Sequence, residues 1–173
     1  MRKIVLSLAV SLDGFIEGPN GEYDWCFMDQ DYGMSAFMNS IDAVFVGRKT
    51  YEMSLGMEAD MSGMPRMDEY VFSNTLDKVK EGSVLIKGDI KTQVEKIKNQ
   101  TGKDIWLFGG ASLTTTLMTL KLIDEVQLAV HPILLGGGKP LIRDISERVN
   151  LKLIDTKTFS TGLVSLKYSV MRS

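Results

Sequence analysis

Cysteine and histidine are nearly absent: 173 residues contain one of each, Cys26 and His131. A single thiol cannot close an intrachain disulfide, and one histidine with one cysteine cannot build the His/Cys cluster of a zinc centre. An excess of charge of one sign is lacking too. Lys+Arg 20 against Asp+Glu 22 leaves a formal charge of -2, so the chain has no overall positive field for collecting nucleic acid or an anionic membrane. Long apolar runs are missing as well, since the opening "MRKIVLSLAVSLDGF" is broken by Asp13 and Gly14 before it reaches the length of a signal sequence or membrane span. No internal repeat, low-complexity tract or linker divides the chain. With 44% hydrophobic residues, these absences predict a single domain over residues 1–173 in a reducing, cytoplasmic setting, with Cys26 as a structural thiol and a small molecule as the partner.

The residues that are present form a regular pattern. Ile4 to Leu12 alternates large apolar residues with Ser7, Ala9 and Ser11, the period of two of a strand that packs one face and leaves room on the other. Asp42 to Val46, Glu69 to Ser73, Val84 to Ile86 and Asp104 to Phe108 are further short apolar runs bounded by polar residues or glycine. Between them lie helical spacings. Ile90, Val94 and Ile97 share one face, with Asp89 as an N-cap and Gly102 as a stop, and Leu113, Leu117 and Leu120 repeat the spacing after Gly110. Strands alternating with helices predict right-handed crossovers and a mostly parallel sheet flanked by helices, an α/β domain. The last third reads as strands at Glu125 to Leu135, Leu151 to Phe159 and Leu163 to Met171, and the three-residue link Ser160 to Gly162 makes the final pair an antiparallel hairpin. "LLGGGKPL", Leu134 to Leu141, reads as a flexible turn.

Two common nucleotide motifs are excluded. "GRKT" has Arg48 where a P-loop needs the glycine before its lysine, and "GGGKP" has Ile133 where it needs its first glycine and Pro140 after its lysine. No G-x-G-x-x-G follows the first strand, so the Rossmann fingerprint is missing. What remains is subtler. "VFVGRKTYEM" (Val44 to Met53) and "WLFGGASL" (Trp106 to Leu113) each end a strand on glycine and enter a helix, and the unpaired N-H groups of a helix start favour an anion. "VFSNT" (Val71 to Thr75) ends a third strand with a hydroxyl and an amide. All three belong to the carboxyl edge of the predicted sheet, where open α/β sheets gather their ligands.

Two other features point less directly to function. Met53, Met57, Met61, Met64 and Met67 crowd one stretch, but a Cu(I) site usually adds Cys or His, so a deformable apolar wall or core packing is expected and no metal site is assigned. His131, before Pro132 at a strand end, is expected to make a structural polar contact.

Taken in order, "LAVSLDGFI" (Leu8 to Ile16), "VFVGRKTYE", "VFSNT", "LFGGASL" and "HPILLGGGKPL" (His131 to Leu141) resemble the dihydrofolate reductase superfamily. They are nearest the branch that holds the reductase domain of the bifunctional riboflavin-biosynthesis deaminase-reductase. The resemblance spans nearly the whole chain and implies a single-domain fold with a mostly parallel sheet and an antiparallel C-terminal hairpin. It implies NADPH as cofactor. Gly47, Arg48, Lys49 and Thr50 would contact it, Arg48 with Ser73, Asn74 and Lys87 would hold the 2'-phosphate, Gly109, Gly110, Ala111, Ser112 and Leu113 the pyrophosphate, and Ala9 and Val10 would lie near the nicotinamide. For the substrate, the loop from Phe15 to Trp25 would cover the reacting end. Trp25 matches the loop tryptophan of dihydrofolate reductases, but Gln30 stands where their folate-gripping carboxylate belongs, flanked by Asp29 and Asp31. Asp13, in the branch's Ser-Leu-Asp-Gly motif, has two readings: it orients substrate or relays a proton, or it makes an Asp-Gly turn. The expected activity is reduction of a C=N or C=O group of a small pteridine- or pyrimidine-like substrate, with or without a ribose; the alternatives are a weak dihydrofolate reductase and a non-catalytic NADPH- or ligand-binding module of the same fold. The glycine-rich segment resembles one near a subunit interface, which implies a homodimer.

Overall fold

The computed structural model describes residues 1–56 and 65–172. The element order is β1 (Ile4–Ser11), β2 (Phe15–Glu17), α1 (Met34–Ser40), β3 (Ile41–Gly47), α2 (Arg48–Leu55), β4 (Asp68–Phe72), β5 (Ser83–Ile86), α3 (Ile90–Lys98), β6 (Asp104–Gly109), α4 (Ala111–Thr119), β7 (Glu125–His131), β8 (Lys139–Pro140), β9 (Leu151–Thr158) and β10 (Val164–Val170). Eight strands form one sheet in the order β5-β4-β3-β6-β1-β7-β10-β9, and β2 pairs with β8 apart from it. The six strands from β5 to β7 are mutually parallel, and β10 runs antiparallel to both of its neighbours. The mostly parallel sheet and its C-terminal hairpin are therefore as the periodicity predicts.

Alternation along each strand divides the core between two faces. Ile4, Leu6, Ala43, Phe45, Tyr70, Phe72, Ile105 and Leu107 point to one side, where they meet Val94 and Ile97 of α3 and Leu113 and Leu117 of α4. On the other side α1 sets Phe37 and Met38 against Val5, Ile41 and Trp106, while Tyr51 of α2 packs on Val46 and Val71. Buried charges are paired at the amino-terminal edge of the sheet. Lys98 reaches Asp124 at 2.5 Å, Asp124 also accepts the Ile4 N-H at 2.8 Å, and Arg2 pairs with Asp42. A buried ion without such partners would be strongly destabilising.

Several predicted boundaries move for identifiable reasons. β1 stops at Ser11, whose Oγ accepts the Phe15 N-H at 2.9 Å, and Leu12 turns out to solvent at 66% exposure. β7 ends at His131 instead of running to Leu135, because Pro132 has no N-H for the ladder. α3 ends at Lys98, short of Gly102. Met67 packs against the α1 cluster and Met53 is exposed, while Met57, Met61 and Met64 lie outside the described residues. No helix among the described residues is long and apolar enough to cross a membrane.

Phe15, expected in a covering loop, lies in β2 and pairs with Pro140 of β8. Backbone approach at this pair is close enough to require glycine: Gly138 has φ +135, and a Cβ there would sit 2.1 Å from the Glu17 carbonyl oxygen. Gly138→Ala is expected to destabilise the protein by at least about 2 kcal/mol, combining left-handed strain with a backbone clash. Thermal or urea unfolding measures it, and wild-type stability would show that the β2-β8 pair is not closed in this way.

Candidate cofactor and substrate site

The parallel order brings the carboxyl ends of β1, β3, β4, β5, β6 and β7 to one edge. Helix starts differ sharply there. At α3 the Asp89 carboxylate accepts the Thr92 N-H at 3.2 Å, and at α1 Asp31 accepts from Ser35 at 2.8 Å and Gly33 at 3.1 Å. By contrast, α2 and α4 begin at Gly47 and Gly110 with no side-chain cap and no acidic residue in the first turn. Their first N-H groups are open to an anion. The two starts also meet, since the Gly110 N-H donates to Thr50 Oγ1 at 3.4 Å. Gly109 needs its φ of +121, but Gly47 has an ordinary φ of -79 and a Cβ there would make only normal contacts, 3.7 Å from the Gly109 oxygen and Leu113 Cβ. The fold does not demand glycine at 47, and its missing side chain leaves a cradle beside the uncapped turn.

The predicted cofactor residues surround this join unevenly. Lys49 and Lys87 are exposed and make no ion pair among the described residues. Arg48 is engaged: its guanidinium donates to both Glu52 oxygens at 3.1 Å across one helical turn. Both side chains are about two-fifths exposed, 40% and 44%, so the pair is weak and exchangeable. Ser73 Oγ accepts the Thr75 and Leu76 N-H groups at 3.2 and 3.0 Å, and Asn74 Oδ1 accepts the Gly88 N-H at 3.2 Å, which draws the loop holding Lys87 towards the end of β4. Val10 and Leu113 are buried, so backbone rather than side chain is what they can offer at the site. Ala111 and Ser112 border a cavity of about 380 Å³ that also touches Thr115, Lys139 and Arg143.

Substrate residues divide more clearly. On the sheet face that carries Trp106, α1 covers the amino-terminal half. Ala9, Ala129 and Ser165 are register partners across β1, β7 and β10 and form a flat floor of small side chains. Phe108, two residues beyond Trp106 and so on the same face, is 42% exposed with its ring 4.7 Å from that of Trp106. Trp25 stands edge-on to His131 with ring centroids 5.3 Å apart, and Phe27 lies 5.0 Å from the same imidazole. Phe108 on β6 and His131 on β7, with Trp25 and Phe27 against it, thus stand on one face to either side of β1 and Ala9, the platform and the wall of a trough in this arrangement of strands. Asp29 and Asp31 do not enter it: Asp29 accepts the Tyr32 hydroxyl at 2.6 Å, and both Asp31 oxygens serve the start of α1, which holds its carboxyl below the usual range. A carboxylate spent on a helix start is unavailable to grip a substrate ring.

Asp13 is likewise occupied. It accepts from Ser11 Oγ at 2.7 Å, Leu135 N-H at 3.1 Å and Gly136 N-H at 2.8 Å, and the Ser11 bond first, then these backbone donors, hold it below the ordinary carboxylate range despite some desolvation. It binds the glycine-rich segment as an ion and is poorly suited to donate a proton. His131 is 3% exposed with both nitrogens engaged, so the expected structural contact is what the geometry shows. Burial pushes the Cys26 thiol up, aided by Asp24. Sequence reasoning missed Phe108 and Arg143. For Phe108 the period-two pattern held the signal, because it places that ring on the Trp106 face beyond the reach of a short helix.

Comparisons with known proteins bear on the family and the fold. The family model of the RibD C-terminal domain matches residues 2–165. An uncharacterized protein of Bacillus subtilis, YyaP, is 45% identical over 96% of this chain and 94% of its own. The crystal structure of a putative riboflavin biosynthesis protein from Shewanella sp. PV-4 superposes with a TM-score of 0.85 at 27% identity, covering 99% of this chain and 100% of that one. Dihydrofolate reductase from Enterococcus faecalis, in complex with NADP(H) and RAB-propyl, superposes with a TM-score of 0.67 at 16% identity over 97% and 94% of the two chains, which shows the dihydrofolate reductase-like fold.

The Asp13 carboxylate yields a signed pH prediction. Its folded pKa is lowered, so the stabilisation is present above the unfolded value and fades as pH falls through it towards the folded one. Hydrogen exchange at the Leu135 and Gly136 amides is expected to lose protection in Asp13→Ala at neutral pH and in the wild type as pH falls below the ordinary aspartate value of 3.8. Unchanged protection in Asp13→Ala would remove this anchoring role.

Proposed function

The chain belongs to the RibD C-terminal domain family, and on that footing we propose that it is an NADPH-dependent reductase of a small planar, pteridine- or pyrimidine-like substrate, with or without an attached ribose. The observation that carries this reading is the pair of uncapped helix starts joined through Thr50 and Gly110, where the other two helix starts among the described residues are served by aspartates. NADPH would supply a hydride from its nicotinamide to a C=N or C=O carbon. The first N-H groups of α4, from Ala111 to Leu113, suit the pyrophosphate, and those of α2 with Thr50, which holds the Gly110 N-H, complete the cradle. Arg48, Lys49, Ser73, Asn74 and Lys87 surround the place for the 2'-phosphate, where Arg48 exchanges Glu52 for a doubly charged partner. The backbone of β1 at Ala9 and Val10 lies beside the nicotinamide end, and the floor beyond Ala9 is flat enough for a ring to lie against Phe108.

The protein's remaining task is alignment and exclusion of water. Trp25 and Phe27 wall the trough, while Asp13 orders the 134–136 segment rather than touching the substrate. Asp13 is held as an anion and His131 has both nitrogens occupied, so a water molecule is the proton source in this account. Folate reduction fits less well because neither Asp29 nor Asp31 is free. Cytoplasmic residence and a homodimer complete the proposal. The dimer surface that fits best is β9, an edge strand exposed along its whole length with Leu151, Leu153 and Ile154 outward, since Gly138 of the glycine-rich segment is closed against Glu17. A monomer mass by light scattering at micromolar concentration would remove the dimer.

Thermal-shift titrations compare the cofactors without knowledge of the substrate. NADPH is expected to stabilise the wild type more than NADH does. Arg48→Ala should weaken NADPH by about tenfold or more and leave NADH nearly unchanged, because only the former carries the phosphate that a guanidinium can pair. Equal responses to the two nucleotides, or none to either, would overturn the assignment.

A further inference from the structure

The wall of the trough is fastened by a side chain to which the reduction assigns no step. His131 closes β7 opposite Ser11 and is 3% exposed. Its Nδ1 lies 2.9 Å from the Ala129 carbonyl oxygen, which can only accept, so Nδ1 carries the proton. Its Nε2 lies 3.1 Å from the Phe27 N-H, which can only donate, so Nε2 offers its lone pair. One neutral tautomer satisfies both contacts. Residues 23–28 lie in no helix or strand, and among the described residues the Phe27 bond is their one hydrogen bond to the sheet. The other bonds of this stretch are local, Cys26 N-H to the Tyr23 oxygen at 3.1 Å and Trp25 Nε1 to the Glu22 oxygen at 3.3 Å. Trp25 and Phe27 then clasp the imidazole, and the rings continue through Tyr32 to Phe159, 4.9 Å apart.

We propose that His131 is a positioning residue: as a neutral acceptor for the Phe27 N-H it fastens Trp25 and Phe27 as the wall of the trough, and a proton on Nε2 releases them. Protonation would set two donors facing each other 3.1 Å apart and leave a cation at a nearly fully buried position, both unfavourable. The charged and titratable groups of the surrounding elements are Tyr23, Asp24, Cys26 and Asp29 on the covering segment, Asp13 beyond β1, and Tyr32 and Lys157 at the far end of the rings. None of them bonds to the imidazole. Burial lowers the His131 pKa, opposed by the carbonyls of Ala129 and Val10. A lowered folded pKa means that closure is intact above the ordinary histidine range and is lost as pH falls through that range towards the folded value. The proposal rests on the reductase reading only for what the trough holds; the fastening itself is read without ligand.

The test is an NMR pH titration of the ligand-free, full-length protein, whose single histidine makes the imidazole signal unambiguous. The Phe27 amide and Trp25 indole resonances are expected to move with the same midpoint as the imidazole, below 6.5. At about pH 7.5, His131→Ala should reduce the protection factor of the Phe27 amide by roughly tenfold, whereas His131→Gln, an acceptor that stays neutral, should keep most of it and show no acid transition. Phe27 and Trp25 unmoved across the imidazole titration would overturn the proposal, as would a folded Ala variant with wild-type protection or a Gln variant as open as Ala. The wild-type titration decides even where a variant fails to fold. NADPH that neither binds nor is oxidised would sink the reductase reading alone.

Discussion

The contact between Thr50 Oγ1 and the Gly110 N-H is small, but the site is arranged around it. It is possible only because β6 is inserted between β3 and β1, so that two strand-to-helix turns far apart in sequence emerge side by side. Each turn alone would be an ordinary helix start. Together they present two sets of unpaired N-H groups to one place, and their partial positive charges add. The rest follows from that position: cations and hydroxyls from the ends of β3, β4 and β5 lie to one side, and the small-residue floor of β1 and β7 to the other.

Where polar side chains are placed separates structure from function in this fold. At the amino-terminal edge, Arg2, Lys98, Asp42 and Asp124 are paired with one another and with the backbone. At the carboxyl edge, Asp13 and Asp31 are spent on loops and helix starts, and His131 on the covering segment. What stays open is backbone N-H and positive charge. A site of this composition suits a large anionic cofactor that brings its own chemistry, and it explains why the sequence shows no obvious acid or base.

The fold was largely legible because period-two alternation and short glycine or polar boundaries identify strands whether or not their neighbours are known. Some features were not. α1 has seven residues, and its start is served by Asp31 from three positions before the helix, past a Tyr32 with φ 50, so no standard start signal precedes it. The β2-β8 pair unites segments some 120 residues apart through two or three residues, too few for a periodic pattern. At the site, the glycine turns were visible as motifs, but the occupancy of each polar side chain was not. Asp13, Asp29 and Asp31 read alike as candidates in sequence, and only their partners in space distinguish an anchor, a hydroxyl acceptor and a helix cap from a group that meets substrate.

The central claim is that one cofactor spans both uncapped turns, and its most direct test is the backbone amide spectrum of the protein titrated with NADPH. The account predicts that the amides of Gly47 to Thr50 and of Gly109 to Leu113 shift together with a single saturation curve. Shifts confined to one turn, or shifts elsewhere with both turns unmoved, would contradict it.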